Sequence, residues 1–148
     1  MDFVMECEHE IVYSKEELNH VANQIIQHSN GIKVWLFEGE MAAGKTTLIK
    51  EICKNFGIKE TVSSPTYSLI NEYRDQKGNG YFHFDFYRIK SEDEASDIGS
   101  DEYFYSGEHC FVEWPSKIPS LLPDEYYSIL IEVLENGNRK ICLTKKKA

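Results

Sequence analysis

Eight consecutive residues, Gly39-Glu40-Met41-Ala42-Ala43-Gly44-Lys45-Thr46, match the pattern G-x-x-x-x-G-K-[ST] without a gap. Glycines at that spacing let the backbone curl until successive N–H groups point inward as a nest for an anion. The residues just ahead, Val34-Trp35-Leu36-Phe37, form a continuous apolar run, the mark of a strand buried on both faces of a parallel sheet. Those just behind, Thr46 to Phe56, read as a helix closed by Gly57. The loop therefore opens a helix, whose positive dipole end favours phosphate. In such a loop Lys45 is expected to reach the β- and γ-phosphates, and Thr46 to coordinate Mg²⁺ through its hydroxyl.

The flanking sequence predicts an α/β domain. Glu8 to Tyr13 suits a short strand, and Ser14-Lys15-Glu16-Glu17 has the spacing of a capping box. Leu18, Val21, Ala22, Ile25 and Ile26 then recur on one helical stripe, with Gly31 available as a cap. Thr66 to Tyr73 and the alternating Tyr81 to Tyr87 flank the turn Gly78-Asn79-Gly80, which predicts a hairpin. Ser91 to Phe104 is acidic and suits a short helix with irregular chain. Cys110-Phe111-Val112 reads as a second buried strand ending at Glu113, and Asn136-Gly137 joins Tyr126–Leu134 to Lys140–Thr144 in another hairpin. The expected architecture is a mostly parallel, P-loop NTPase-like sheet flanked by helices, with added antiparallel hairpin strands. Residues 1–148 are read as a single P-loop ATPase domain.

A P-loop needs a carboxylate at the tip of a neighbouring buried strand to hold Mg²⁺ directly or through water. Glu113 fits that place; otherwise it is a surface acid at a strand end. Asp85, within His83-Phe84-Asp85-Phe86-Tyr87-Arg88, orients water if it faces the γ-phosphate, or else pairs with Arg88 or faces solvent. His83 is a metal ligand or a hydrogen-bonded core residue. Asp75-Gln76-Lys77-Gly78 matches D-x-x-G but sits in a turn, where those residues belong anyway. Lys145-Lys146-Lys147 reads as a solvated tail.

Sixteen Lys and Arg against 25 Asp and Glu leave a net charge of −9, which repels a phosphate backbone. Any role on nucleic acid is expected to run through a protein partner. The segment MDFVMECEHE lacks the basic and apolar regions of a signal peptide, and no apolar run approaches the ~18 residues of a membrane span. Cys7, Cys53, Cys110 and Cys142 are far apart, which predicts reduced thiols in a cytoplasmic protein away from membranes.

Taken together, GEMAAGKTT (39–47), Ser64-Pro65-Thr66-Tyr67-Ser68-Leu69, the H-x-D-x-Y-R segment at 83–88 and Val112-Glu113-Trp114 resemble the TsaE (YjeE) family. Its members are small P-loop ATPases of bacterial tRNA threonylcarbamoyladenosine biosynthesis, and the likeness spans nearly the whole chain. The resemblance implies ATP hydrolysis with Mg²⁺, coupled to a TsaB–TsaD partner pair that modifies the adenosine beside the tRNA anticodon. It implies phosphate contacts from Glu40, Met41, Ala42, Ala43, Gly44, Lys45, Thr46 and Thr47, magnesium roles for Thr46 and Glu113, and a catalytic trio of Lys45, Asp85 and Glu113. Ser64–Tyr67, with Thr66, becomes a switch segment over the γ-phosphate, and Trp114 packs beside the site. Adenine contacts are implied near Ser14 and Lys15 and around Gly137 to Arg139.

The family commonly has glycine where Ala42 stands and aspartate where Glu40 stands, and Pro115-Ser116 replaces a more usual polar-acidic pair. A positive φ at Ala42 would cost about 1 kcal/mol. Two other functions compete. A small-molecule kinase needs an arginine-bearing lid, but Arg74, Arg88 and Arg139 are the only arginines and no insertion is long enough. A GTPase-like switch lacks the guanine-reading N/T-K-x-D motif.

Overall fold

The computed structural model describes residues 7–66 and 68–147; Tyr67, part of the expected switch segment, lies outside the described residues. Seven strands form one sheet in the order β1-β7-β6-β2-β5-β4-β3. These are β1 (His9–Tyr13), β2 (Val34–Glu38), β3 (Ile70–Arg74), β4 (Gly80–Asp85), β5 (His109–Glu113), β6 (Tyr126–Val133) and β7 (Arg139–Lys146). The central strands β6, β2, β5 and β4 run parallel. Antiparallel hairpins β6–β7 and β3–β4 lie to either side, and β1 pairs antiparallel with β7. The sheet is thus the mixed α/β arrangement the sequence predicts.

Helices cover both faces. The Ser14–Glu17 capping box starts a 3₁₀ turn (Lys15–Glu17) that runs into α1 (Leu18–His28). With α2 (Lys45–Asn55), α1 packs its Val21, Ala22 and Ile25 stripe on Trp35, Phe37, Phe111 and Tyr127. On the other face, α3 (Glu92–Asp97) and α4 (Ser100–Phe104) cover Val34, Leu36, Phe84 and Val112. Strand β2 is buried along Val34–Phe37 because it lies between two parallel neighbours and under both layers. Both cores therefore meet at β2 and β5, the strands that end at the phosphate loop and at Glu113.

Four expectations are corrected. The strand predicted from Thr66 begins only at Ile70. Its partner β4 ends at Asp85, whose N–H reaches Leu69 as the last rung, so Thr66 and Ser68 have no strand left to pair with. Strand β4 does not alternate: residues 80–84 are all buried, because β4 is covered on both faces. Lys145 and Lys146 extend β7, and Lys145 Nζ donates to the His28 carbonyl at 3.1 Å, so both belong to the sheet rather than to a tail, though Lys146 stays exposed. Finally, Cys7 and Cys142 form a disulfide with Cα atoms 5.5 Å apart. The pairing of β1 with β7 brings together thiols separated by 135 residues, a contact that cysteine spacing alone does not reveal. Cys53 and Cys110 are free and buried, and burial pushes both thiols up to about 12.

Phe111 packs against Trp35, Phe37, Phe56 and Tyr81 with ring centroids 5.2–6.3 Å away. Truncating such a ring leaves a cavity between sheet and helices. Phe111→Ala is expected to lose about 3–5 kcal/mol in urea unfolding; a loss under about 1 kcal/mol would mean this face is loosely packed.

Candidate nucleotide and metal site

Strand β2 delivers the chain into the phosphate loop at the carboxyl edge of the parallel strands, where ligands of open α/β sheets bind. Gly39 is required by packing: a Cβ there would meet the Ile131 carbonyl oxygen of β6 at 2.9 Å. Gly44 has φ +100 and opens α2 at Lys45, a conformation that favours glycine. Ala42 also sits at positive φ, +63, and so carries the strain the sequence raised, about 1–2 kcal/mol. From β7, Arg139 Nε donates to the Ala43 carbonyl at 2.9 Å and holds the far wall of the loop. Lys45 is 6% exposed. Its Nζ donates to the Gly39 carbonyl and lies 3.6 Å from the Trp114 ring centroid.

Opposite the loop, β4 and β5 end in register, Asp85 beside Glu113. Glu113 is 3% exposed. Thr46 Oγ1 lies 3.1 Å from each of its carboxylate oxygens and 2.9 Å from Ser64 Oγ. His83 Nε2 meets Glu113 Oε2 at 2.7 Å. Of the readings open for His83, the structure selects the hydrogen-bonded core residue, and Glu113 is a buried acid rather than a surface one. Asp85 is half-buried and accepts the Tyr87 N–H at 3.0 Å. Among the described residues it forms no ion pair with Arg88. Burial, with Glu113 nearby, pushes the Asp85 carboxyl up against the opposing pull of the Tyr87 N–H, His83 and Lys45. Burial pushes the Lys45 ammonium down, against the pull of Glu113, Glu38 and Asp85.

A cleft of about 1080 Å³ joins these groups. Met41, Ala42, Ala43, Gly44, Lys45, Thr46 and Thr47 line it on the loop side, with Ser64, Thr66, Asp85, Glu113, Lys15 and Arg139 around the rest. Ser14 and Glu40 are not among the lining residues. The Ser14 hydroxyl is instead committed to Glu17 Oε1 at 3.0 Å. Tyr13, Leu18, Arg88 and Glu94 line the cleft without having been singled out. Arg88 closes the H-x-D-x-Y-R segment, Leu18 opens the helical stripe and Tyr13 precedes the capping box, but none of these signals placed them in the cleft. Trp114, at φ +60, is a bulky residue in the left-handed region. It packs on Tyr87, tilted by 45° with ring centroids 5.0 Å apart, and so bridges the end of β5, the H-x-D-x-Y-R turn and Lys45.

The donor set suits a hard cation. A threonine hydroxyl and a carboxylate offer oxygen alone, and Mg²⁺ takes few protein ligands with the rest from water and phosphate. Among the described residues, no group of three or more His, Cys, Asp or Glu forms a cage that would hold a metal unaided.

The buried charge on Asp85 has a thermodynamic signature. A carboxyl whose folded pKa is raised destabilises the fold once ionised. That penalty is absent below the unfolded value of about 3.9 and grows as pH rises through it to the raised folded value. Asp85→Asn is therefore expected to melt above the parent protein at neutral pH, with the gap narrowing toward pH ~4. Melting curves across that range test it; a gap that narrows as pH rises contradicts the burial argument.

Comparison with known proteins gives the family. The family model described as Threonylcarbamoyl adenosine biosynthesis protein TsaE matches residues 12–141. The tRNA threonylcarbamoyladenosine biosynthesis protein TsaE of Bacillus subtilis is 38% identical over 129 residues, covering 87% of this chain and 80% of the relative. The protein of the same name from Rickettsia prowazekii is 35% identical, covering 90% and 92%. The crystal structure of Bacillus subtilis YdiB superposes with a TM-score of 0.72 at 28% identity, covering 95% of this chain and 87% of that one. With a match across nearly all of its described sheet, this chain belongs to the TsaE family, whose proteins act in tRNA threonylcarbamoyladenosine biosynthesis.

Proposed function

We propose that this protein binds ATP with Mg²⁺ in the cleft between the phosphate loop and the ends of β4 and β5, and hydrolyses it. The hydrolysis supports threonylcarbamoyl transfer to tRNA by a TsaB–TsaD pair. The observation that carries the reading is the approach of Thr46 Oγ1 to both oxygens of Glu113 at 3.1 Å, beside a lysine-bearing phosphate loop. These two groups sit where a nucleotide's metal is held in P-loop proteins.

Each side chain then has a task set by its chemistry. The N–H groups of Gly44 through Thr46 face the phosphates, the Ala43 N–H being held by the Glu40 carbonyl. Lys45 leaves the Gly39 carbonyl and the Trp114 ring to neutralise charge between the β- and γ-phosphates. Thr46, whose hydroxyl now meets Glu113 and Ser64, and Glu113 would hold the cation, the carboxylate directly or through water. When bound, Mg²⁺ would neutralise phosphate charge. Asp85, half-buried and near Lys45, orients the water whose oxygen attacks the γ-phosphorus as the bond to the departing ADP breaks. Tyr13, Lys15, Leu18 and Arg139 form the side of the cleft left for the base.

The open cleft supports a reading in which turnover depends on a partner. The cleft is open, and a site that does not exclude water or complete its constellation turns over slowly. Docking would order the Ser64–Thr66 segment, already tied to Thr46, over the γ-phosphate. The net charge of −9 works against phosphate-backbone contact, so tRNA is reached through the partner. No helix among the described residues is long and apolar enough to cross a membrane.

ATPase rates with and without purified TsaB–TsaD test the reading. Slow basal hydrolysis stimulated by the pair is expected, with Lys45→Ala lowering the rate ~10²–10³-fold in a folded protein. Full activity in Lys45→Ala, or indifference to the pair, would contradict it.

A further inference from the structure

We propose that His83 is a positioning residue, which holds the Glu113 carboxylate in place for the metal-bearing nucleotide by donating its Nε2–H to Oε2. This rests on the magnesium–nucleotide reading of the cleft. His83 is 0% exposed, and Nε2 lies 2.7 Å from Oε2. Its other nitrogen, Nδ1, is buried with no hydrogen-bond partner among the described residues.

That asymmetry assigns the tautomer. A proton on Nδ1 alone would bury an unmet N–H donor and point the Nε2 lone pair at a carboxylate. An imidazolium would also leave Nδ1–H unmet. The neutral Nε2–H form leaves only an acceptor lone pair without a partner, the least costly choice. The ring therefore donates to Glu113 through Nε2–H.

The sheet aims this donor. His83 stands opposite Phe111 in the parallel β4–β5 ladder, and Glu113 is two residues further along on the same face, within diagonal reach of a long side chain. An ordinary buried histidine finds a backbone carbonyl. The partner here is the acid at the mouth of the site, and one ring nitrogen is left unmet to keep it. Among the described residues Glu113 has two side-chain donors, His83 and Thr46. When the Thr46 hydroxyl turns to the cation, His83 is the donor that remains. Without it the carboxylate is free to rotate, and a cation demanding near-octahedral geometry is held less well.

Calorimetric titration of a non-hydrolysable ATP analogue, with Mg²⁺ varied and with EDTA, separates this role from a structural one. His83→Leu keeps the bulk without the donor, and His83→Asn keeps an amide too short to reach Oε2. His83→Gln places an N–H where Nε2 stood. Thermal melts identify any variant that fails to fold, and the remaining ones decide. The Leu and Asn variants are expected to need ~10-fold more Mg²⁺ for half-maximal binding, with metal-free binding unchanged and the Gln variant close to the parent. An unchanged Mg²⁺ midpoint in the Leu and Asn variants, or equal loss of metal-free and metal-dependent binding, would overturn the proposal. Absence of any Mg²⁺-dependent gain in the parent protein would overturn the cleft reading itself, and this inference with it.

Discussion

In the parallel ladder between β2 and β5, Leu36 stands opposite Val112 and Phe37 opposite Glu113. The carboxylate is thereby placed one strand away from the point where β2 runs into Gly39. The next ladder, β5 to β4, sets Asp85 beside Glu113 by the same rule. A slip of one residue in either ladder would turn Glu113 or Asp85 to the opposite face of the sheet. The register is held by what it buries: Phe37 and Phe111 on the α1–α2 side, Leu36 and Val112 on the α3–α4 side. Packing of the core and placement of the acids are the same constraint.

The site concentrates groups that work against stability. Ala42 and Trp114 occupy the left-handed region, where residues with side chains are strained. Lys45 and Glu113 are both nearly out of contact with water, and Asp85 is pushed up by burial. Each is tolerated because something nearby offsets it. Arg139 braces the loop that contains Ala42, Tyr87 packs on Trp114, and Lys45 rests on the Gly39 carbonyl and the indole. Strain gathered at one edge of an otherwise well-packed sheet is characteristic of a functional site.

The elements legible in the sequence were those whose signal is local. The phosphate loop, the α1 stripe, the capping box and the Asn136-Gly137 hairpin each follow from neighbouring residues. Glu113 was legible as the end of a short apolar run. What escaped was set by partners distant in the chain. The extent of β3 depends on where β4 stops, and the burial of β4 depends on β5 and on helices that follow it. The Cys7–Cys142 disulfide and the place of Lys145 depend on β1 and β7 coming together. Within the site, Tyr13 and Arg88 reach the cleft only through tertiary placement, and the His83–Glu113 contact spans 30 residues. Ser14 carries a strong local signal, but its hydroxyl is used by the helix start that the signal describes.

The central claim is that Thr46 and Glu113 form a ready-made cation site whose mutual hydrogen bond is exchanged for the nucleotide's metal. A crystal structure with Mg²⁺ and a non-hydrolysable ATP analogue measures this directly. The account predicts phosphates in the loop and Thr46 Oγ1 moved off Glu113 to about 2.1 Å from the cation. It also predicts Glu113 on the cation or one water away, with His83 still bonded to it. A nucleotide bound elsewhere, or phosphates in the loop with Thr46 still bonded to Glu113, would contradict it.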